Sequence, residues 1–258
     1  MIFKITSYLH FLKKSTNQHG IHSPFIFDLI TKCFYKKTTL TKLKLITDYR
    51  DDLLLNKHKI EVTDFGKGSK VFRSNSREVS RIARVAGISK KRSELLIRLV
   101  AYFMPTSILE IGTSLGIGTA SMHIGNSKSN ITTLEGCPQT LQVAKKQFKK
   151  FGFNSVNFVE GDFKTTLPES LKNKTYDLIY FDGNHQKEPT LNYFKQCLSA
   201  IHNDSIFIFD DIHWSKEMAE AWEEIKKHPK VTVTLDTYFW GFVFFRKEQP
   251  KENFTIRV

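Results

Sequence analysis

The stretch from Ser107 to Thr119 places the strongest constraint on how this chain can fold. Its first half, Ser107-Ile-Leu-Glu-Ile111, is a short apolar run that suits a strand buried on both faces. Glycines follow at once, and the residues after them have the composition of the first turns of a helix. A strand that enters a helix through glycines places backbone N–H groups where they face a ligand above the sheet edge. The stretch therefore predicts an α/β fold with a nucleotide-type site at this loop.

Strands and helices alternate along the chain after this stretch. Strands are predicted at 131–135, 156–160, 176–182 and 205–210, and helices at 91–103, 139–151, 165–172, 188–201 and 215–228. Repeated β-α units of this kind imply a parallel sheet covered on both faces. Two further strands, 231–236 and 239–245, are joined by a short link and must be antiparallel. We predict a doubly wound, mostly parallel seven-stranded sheet with an antiparallel C-terminal strand and an N-terminal helical cap.

The net charge of +13 belongs entirely to the first third of the chain. Residues 1–92 contain 20 Lys and Arg against 7 Asp and Glu, whereas residues 93–258 contain 19 of each. Such a segment is typical of contact with a polyanion, which includes nucleic acid, an anionic membrane surface and an acidic glycan. A solvated helical surface that only confers solubility explains the charge equally well. We predict that residues 1–90 form a basic helical cap for substrate recognition and that residues 91–258 form the ligand-binding domain.

Several classes of protein are disfavoured by simple features of the sequence. Three widely separated cysteines, Cys33, Cys137 and Cys197, support neither a disulfide framework nor a zinc site. No apolar run reaches the ~18 residues typical of a membrane span, and no cleavable leader is evident. We therefore expect a cytoplasmic protein without a transmembrane segment. The sequence leaves open whether the protein forms a homodimer. A second glycine loop at 64–70 is predicted to be a flexible connector.

The spacing of the glycines discriminates between two kinds of nucleotide site. The pattern Glu110-x-Gly112-x-x-x-Gly116 does not fit the dinucleotide fingerprint G-x-G-x-x-G, which needs a glycine at Ser114. It resembles the first motif of class I S-adenosylmethionine (SAM) dependent methyltransferases, and the resemblance covers about residues 91–246. The resemblance implies SAM as the cofactor. The cofactor-binding residues that it implies are Glu110, Gly112, Thr113, Ser114, Gly116, Glu135, Gly161, Asp162 and Asp182.

Acidic residues at the ends of the predicted strands support this resemblance. Glu135 ends the second strand, where the family has an acidic residue that accepts hydrogen bonds from both ribose hydroxyls. Gly161 and Asp162 follow the third strand and resemble the element on the adenine side. Vicinal hydroxyls are paired donors, and a carboxylate has two oxygens to accept them. An acidic residue near the position of Glu135 also occurs in dehydrogenases. Gly161-Asp162 and the terminal antiparallel pair of strands are therefore the features that distinguish the methyltransferases from the dehydrogenases.

A second set of polar residues resembles the metal-dependent O-methyltransferases of the catechol and caffeoyl-CoA type and of the sugar-modifying type. The resemblance implies that Asp182, Asp210 and Asp211 hold Mg²⁺ or another divalent cation, for which carboxylate oxygens are suitable ligands. Asp211 stands where the catechol type usually has Asn, which favours the sugar-modifying relatives. His185 occupies the place of the catechol-type lysine base, so His185 and Asp182 are the predicted catalytic residues. For each residue alone a turn, a helix cap or a solvated side chain is the favoured explanation, and the functional interpretation depends on the residues taken together.

The sequence therefore favours a SAM-dependent methyltransferase that performs metal-assisted O-methylation of a small-molecule or glycan acceptor. Two alternatives remain open. One is a nucleic-acid (RNA) methyltransferase that grips phosphates with its basic segment, although no Asn/Asp-Pro-Pro-Tyr motif is present. The other is a non-catalytic SAM-fold protein whose basic segment binds a membrane or a partner. A nicotinamide-dependent oxidoreductase is disfavoured by the glycine spacing.

Overall fold

The computed structural model describes residues 2–63 and 74–257. The connector predicted at 64–70 lies outside these residues. Ten α-helices are present in the described residues: α1 (Ile2–Lys14), α2 (Pro24–Leu29), α3 (Leu40–Leu55), α4 (Val79–Val85), α5 (Lys90–Phe103), α6 (Ile117–Gly125), α7 (Pro138–Phe151), α8 (Phe163–Leu171), α9 (Lys187–Cys197) and α10 (Lys216–Lys227). Their strands are β1 (Lys59–Glu61), β2 (Ser76–Glu78), β3 (Ser107–Ile111), β4 (Asn130–Glu135), β5 (Val156–Glu160), β6 (Leu178–Phe181), β7 (Ile206–Asp210), β8 (Val233–Asp236), β9 (Trp240–Phe244) and β10 (Glu252–Thr255).

The chain divides into two compact units. The first unit combines Met1–Tyr35 with Leu171–Val258, and the second unit is Lys36–Ser170. Eight strands of the described residues belong to the larger sheet, in the order β10-β8-β9-β7-β6 within the first unit and β3-β4-β5 within the second. The α/β fold class is therefore confirmed, and the predicted number of seven strands is one too low.

The strand that the prediction missed is β10. It pairs in parallel with β8, and none of its four side chains is fully buried. A polar strand of this kind has no hydrophobic pattern from which it could be predicted. The predicted antiparallel arrangement near the C-terminus is confirmed, because β9 runs antiparallel to both β7 and β8.

The spacing of the apolar residues between Ser76 and Ile88 predicts one helix, but the segment is only partly helical. Residues Ser76–Glu78 form β2, which pairs antiparallel with β1, and helix α4 begins at Val79. The pairing partner Lys59–Glu61 is distant in sequence. Local periodicity contains no information about such a partner, so it favoured a longer helix.

The second unit is built around β3 and its parallel neighbours. Ile108, Leu109 and Ile111 are fully buried, as the sequence predicted for a strand covered on both faces. The register of β4 and β5 places Glu135 directly opposite Glu160. Helix α3 belongs to this unit and contacts α6. Part of the predicted cap at residues 1–90 is thus packed into the second unit, and the role of residues 1–90 in substrate recognition stays a prediction.

The first unit has a core rich in aromatic side chains. Strands β6, β7, β8 and β9 are buried along their full lengths. Trp222 of α10 lies 6.4 Å from the ring of Phe209 and is 1% exposed. Burial of such a side chain contributes about 2–3 kcal/mol relative to its exposed state. Within the two described ranges, none of the helices combines the length and the apolar character needed to cross a bilayer.

Candidate functional site

The loop between β3 and α6 has the backbone conformation that its glycines predicted. Gly112 and Gly116 have φ angles of 106° and 76°, a region that side chains with a Cβ disfavour. A Cβ atom at Gly116 would also lie 2.9 Å from the Tyr49 hydroxyl and 3.0 Å from the Phe148 ring. Ser114 itself has a φ of 48°. The loop is therefore a tight, specific turn in which Gly116 cannot be replaced without strain.

The backbone amides of this loop are used differently from the prediction. Gly112 and Thr113 donate their N–H groups to the Leu134 carbonyl, at 3.0 and 3.1 Å. The Ser114 N–H donates to Glu135 Oε2 at 2.7 Å, and the Gly116 N–H donates to the Thr113 carbonyl at 2.8 Å. The sequence predicted amides that face the ligand, but these four N–H groups are bonded within the protein. Their effect is to fix the loop against the end of β4.

Glu135 is the polar side chain best placed for a ligand in the second unit. It is half-buried at the end of β4 and accepts N–H groups from Ser114 and from Cys137, the latter at 2.9 Å. Burial raises its pKa, while the hydrogen bonds from Cys137 and Ser114 act in the opposite direction. Each carboxylate oxygen can accept two hydrogen bonds, so capacity remains for a pair of hydroxyl donors. This geometry fits the ribose of a nucleoside.

Glu110 lies inside the core of the second unit and is 1% exposed. Its Oε2 accepts the hydroxyl groups of Thr119 and Thr133, the latter at 2.6 Å. Thr133 is in turn 2.5 Å from the Thr113 hydroxyl. Burial raises the pKa of Glu110 to about 8, so its carboxyl is mostly protonated at neutral pH. The position indicates that Glu110 and Thr113 brace the loop from below, and direct contact of either side chain with a cofactor stays a prediction.

Gly161 and Asp162 connect β5 to α8. The Gly161 N–H donates to the Glu135 carbonyl at 2.9 Å, which holds this turn beside the Glu135 residue. Asp162 Oδ1 accepts the Lys164 N–H at 2.9 Å, and the Asp162 carbonyl accepts the N–H groups of Thr165 and Thr166. Asp162 thus caps α8. Its Oδ2 makes no hydrogen bond within the described residues, so the carboxylate can still accept an amine.

Tyr49 supports the glycine loop from α3, a role that no sequence pattern indicated. Its hydroxyl donates to the Leu115 carbonyl at 3.0 Å, and the side chain is fully buried. The ring lies among Phe148, Phe151 and Phe153. Helix α3 therefore fixes the outer side of the turn through one hydrogen bond.

We expect Tyr49→Phe to lower the free energy of unfolding by about 1–3 kcal/mol, because the buried Leu115 carbonyl loses its partner. SAM affinity should also fall, because the loop loses one of its supports. Denaturant unfolding and calorimetric titration with SAM measure the two effects. The matched control is Tyr35→Phe, which removes an exposed hydroxyl bonded to Gln18 at 2.9 Å and should change neither quantity. Equal effects of the two variants would contradict the assigned role of Tyr49.

In the first unit, Asp182 and His185 follow β6. His185 Nε2 is 3.7 Å from Asp182 Oδ1, within ion-pair distance. The Tyr180 hydroxyl donates to Asp182 Oδ2 at 3.4 Å. His185 and the buried Asp210 both line a small cavity, together with Phe181, Phe209, Tyr193 and Met218. The structure therefore brings together the two predicted catalytic residues and places one predicted metal ligand beside the same cavity.

The predicted metal ligands do not form a recognisable metal site. Asp210 Oδ1 accepts the Asp211 N–H at 2.9 Å, and Asp211 has a φ of 55°. Within residues 2–63 and 74–257, no group of three or more His, Cys, Asp or Glu side chains is arranged to hold a metal ion. The donor set of the described residues therefore does not fit the predicted Mg²⁺ centre.

A further pair in the first unit was not predicted. His213 Nε2 is 2.8 Å from Asp236 Oδ2, and Asp236 Oδ1 accepts the Tyr238 N–H at 2.8 Å. The Tyr238 ring stacks on His213 with 5.2 Å between the centroids. Asp236 ends β8, so its position at the end of a strand is the signal that could have drawn attention to it.

The central part of the chain matches a known protein family. Residues 109–212 match the family model described as a methyltransferase domain. This part of the chain is similar to methyltransferase domains. The span of the match includes the glycine loop, Glu135, Asp162, Asp182 and Asp210.

The individual proteins that match parts of this chain are distant relatives. The protein-L-isoaspartate O-methyltransferase of Methanococcus vannielii is 30% identical over 86 residues, which cover 33% of this chain and 40% of the relative. The O-methyltransferase hkm8 of Aspergillus hancockii is 26% identical over 116 residues, which cover 43% of this chain and 45% of the relative. The chain thus spans less than half the length of these curated relatives.

A solved structure is similar in fold to a larger part of the chain than residues 109–212. The SAH-bound methyltransferase PaMTH1 of Podospora anserina superposes with a TM-score of 0.58 and 18% identity. The superposition covers 81% of this chain and 97% of that protein. At this level of identity the likeness shows the fold, which is that of a methyltransferase.

Proposed function

We propose that the protein transfers the methyl group of SAM to an oxygen atom of a small-molecule or glycan acceptor. The observation that carries the proposal is the Glu135 carboxylate, fixed by the Ser114 and Cys137 amides beside the glycine turn. The match of residues 109–212 to a methyltransferase domain supports it independently.

The residues of the second unit fit SAM by their chemistry. When bound, SAM supplies an electrophilic methyl group on a sulfonium sulfur. Glu135 would accept the two ribose hydroxyls, and Asp162 Oδ2 would accept the exocyclic amine of adenine. Gly112, with a φ of 106°, would allow close approach of the backbone to the ligand, whereas Gly116 makes room for Tyr49 and Phe148. Glu110 Oε1 has no hydrogen-bond partner in the described residues, and because Oε2 accepts two hydroxyls, the proton of the carboxyl lies on Oε1 and leaves one buried donor beneath the loop.

On the acceptor side, His185 is the proposed general base. A neutral imidazole can take the proton of an acceptor hydroxyl as the oxygen becomes a nucleophile. Asp182 Oδ1, 3.7 Å from the ring, would stabilise the imidazolium that results and would orient the ring. The aromatic and apolar lining of the adjacent cavity would reduce access of water to the reacting groups.

The experiment is a transfer assay with tritiated methyl-SAM and a panel of catechols, other phenols, sugars and nucleoside glycosides. We expect transfer to at least one oxygen acceptor, strongly reduced in His185→Gln. Failure of the whole panel, with label transferred to RNA instead, would contradict the proposal. A parallel assay with EDTA tests the divalent metal that the resemblance implied. Because the described residues hold no converging ligand set, we expect turnover to survive the chelator.

A further inference from the structure

Helix α1 presents an apolar stripe to solvent. Ile2, Ile5 and Leu9 are spaced by three and four residues, so they lie on one face of the helix. Their exposed fractions are 80%, 56% and 60%. Contiguous exposed apolar surface of this kind marks a site of interaction.

The orientation of this stripe is fixed by the opposite side of the helix. The Phe11 ring is 5% exposed and lies 5.4 Å from the ring of Tyr238. Tyr8 meets the same ring edge-on at 4.8 Å, and the Tyr238 hydroxyl donates to the Lys4 carbonyl at 3.0 Å. Helix α1 is therefore already docked within the first unit through this side, and the stripe is a second apolar surface that the first unit does not cover.

The charged residues of α1 itself have one sign. No Asp or Glu occurs before Asp28, whereas Lys13 and Lys14 are exposed in the last turn of α1. The Lys4 ammonium lies 3.0 Å from the centroid of the Trp214 ring, which is 42% exposed. Aliphatic side chains flanked by lysines and an exposed indole are the composition of helices that lie at an anionic lipid interface.

We propose that α1 binds the surface of an anionic lipid bilayer, with Ile2, Ile5 and Leu9 inserted among the acyl chains and the lysines at the headgroups. The helix has 13 residues and is about 20 Å long, too short to cross a bilayer, so it lies in the plane of the interface. An uncharged apolar partner would need only the apolar stripe and not the lysines beside it. The complete absence of acidic residues from this segment favours the anionic surface. The proposal does not depend on methyl transfer.

The test is sedimentation of the full chain with vesicles. One set contains phosphatidylcholine alone, and the other contains phosphatidylcholine and phosphatidylglycerol in equal parts. We expect binding to the anionic vesicles that weakens with salt, and little binding to the neutral ones. The double variant Ile5→Asp and Leu9→Asp should bind roughly tenfold more weakly or worse, as should Lys13→Glu with Lys14→Glu. Both pairs include only exposed residues, and circular dichroism verifies that the fold is retained.

The control is Leu40→Asp, which places one of the two added charges at the start of α3, on a leucine that is 83% exposed and so more exposed than Leu9. It should leave vesicle binding unchanged. Equal binding to both vesicle types, or none to the anionic ones, would overturn the proposal. So would light scattering that shows a dimer dissolved by the Ile5 and Leu9 substitutions without any lipid binding, because the occupant of the stripe would then be a second copy of the chain.

Discussion

Replacement of Glu135 by alanine is expected to weaken SAM binding by roughly ten- to a hundredfold, because hydrogen bonds to a charged group contribute about 1.5–3 kcal/mol. The variant removes the acceptor proposed for the ribose hydroxyls. It also releases the Ser114 and Cys137 amides that the carboxylate holds at 2.7 and 2.9 Å. Isothermal titration with SAM measures the effect, and thermal unfolding shows whether the loss is one of binding or of folding.

The control for this variant is Glu160→Ala. Glu160 ends the neighbouring strand β5, directly opposite Glu135 in the register, but its side chain is exposed. Its removal should leave SAM affinity within a factor of about two, since exposed charges contribute little. Similar losses in the two variants would show that general negative charge at this edge matters, rather than the Glu135 carboxylate.

The second large effect concerns the buried Glu110. Glu110→Ala leaves the Thr119 and Thr133 hydroxyls without their acceptor and opens a cavity beneath the loop. We expect a loss of about 3 kcal/mol in the free energy of unfolding. Glu110→Gln keeps the shape and one acceptor oxygen, so it should be clearly more stable than the alanine variant. Denaturant unfolding of the three proteins at neutral pH makes the comparison.

The same residue predicts a pH dependence. The pKa of Glu110 is raised from 4.5 to about 8 in the folded state because burial disfavours the carboxylate. Between these values the folded state keeps a proton that the unfolded state releases, so its contribution to stability is complete below pH 4.5 and declines as the pH rises towards 8. The decline is up to about 1.4 kcal/mol per pH unit. The difference in stability between the wild type and Glu110→Gln should follow this slope, and a difference that is constant over the range would contradict the protonated state.

The parts of the fold that follow from local sequence were predicted well. A short, mainly apolar run predicted β3, and its three aliphatic side chains are fully buried. The short link between the last predicted strands required an antiparallel pair, which β8 and β9 form. The parts that depend on distant partners were missed. Strands β1 and β2 form by pairing with each other although a long segment separates them in sequence, and β10 forms by pairing with β8.

For the candidate site, the sequence predicted which residues take part but not the contacts between them. Glu135 lies at the end of β4 as its place in the sequence indicated. The hydroxyl chain from Thr113 through Thr133 to Glu110, and the hydrogen bond of Tyr49 to the loop, join elements that are distant in sequence. No spacing encodes such contacts. The three aspartates predicted to bind a metal illustrate the same limit, because their order along the chain did not specify whether their oxygens converge.

Equilibrium binding of SAM and of S-adenosylhomocysteine to the unaltered protein is the decisive measurement of the claim that the second unit binds a sulfonium nucleoside. We predict saturable binding of one molecule of each per chain, with no competition from a nicotinamide dinucleotide. The absence of binding for both ligands at millimolar concentration, with the protein folded, would contradict the claim.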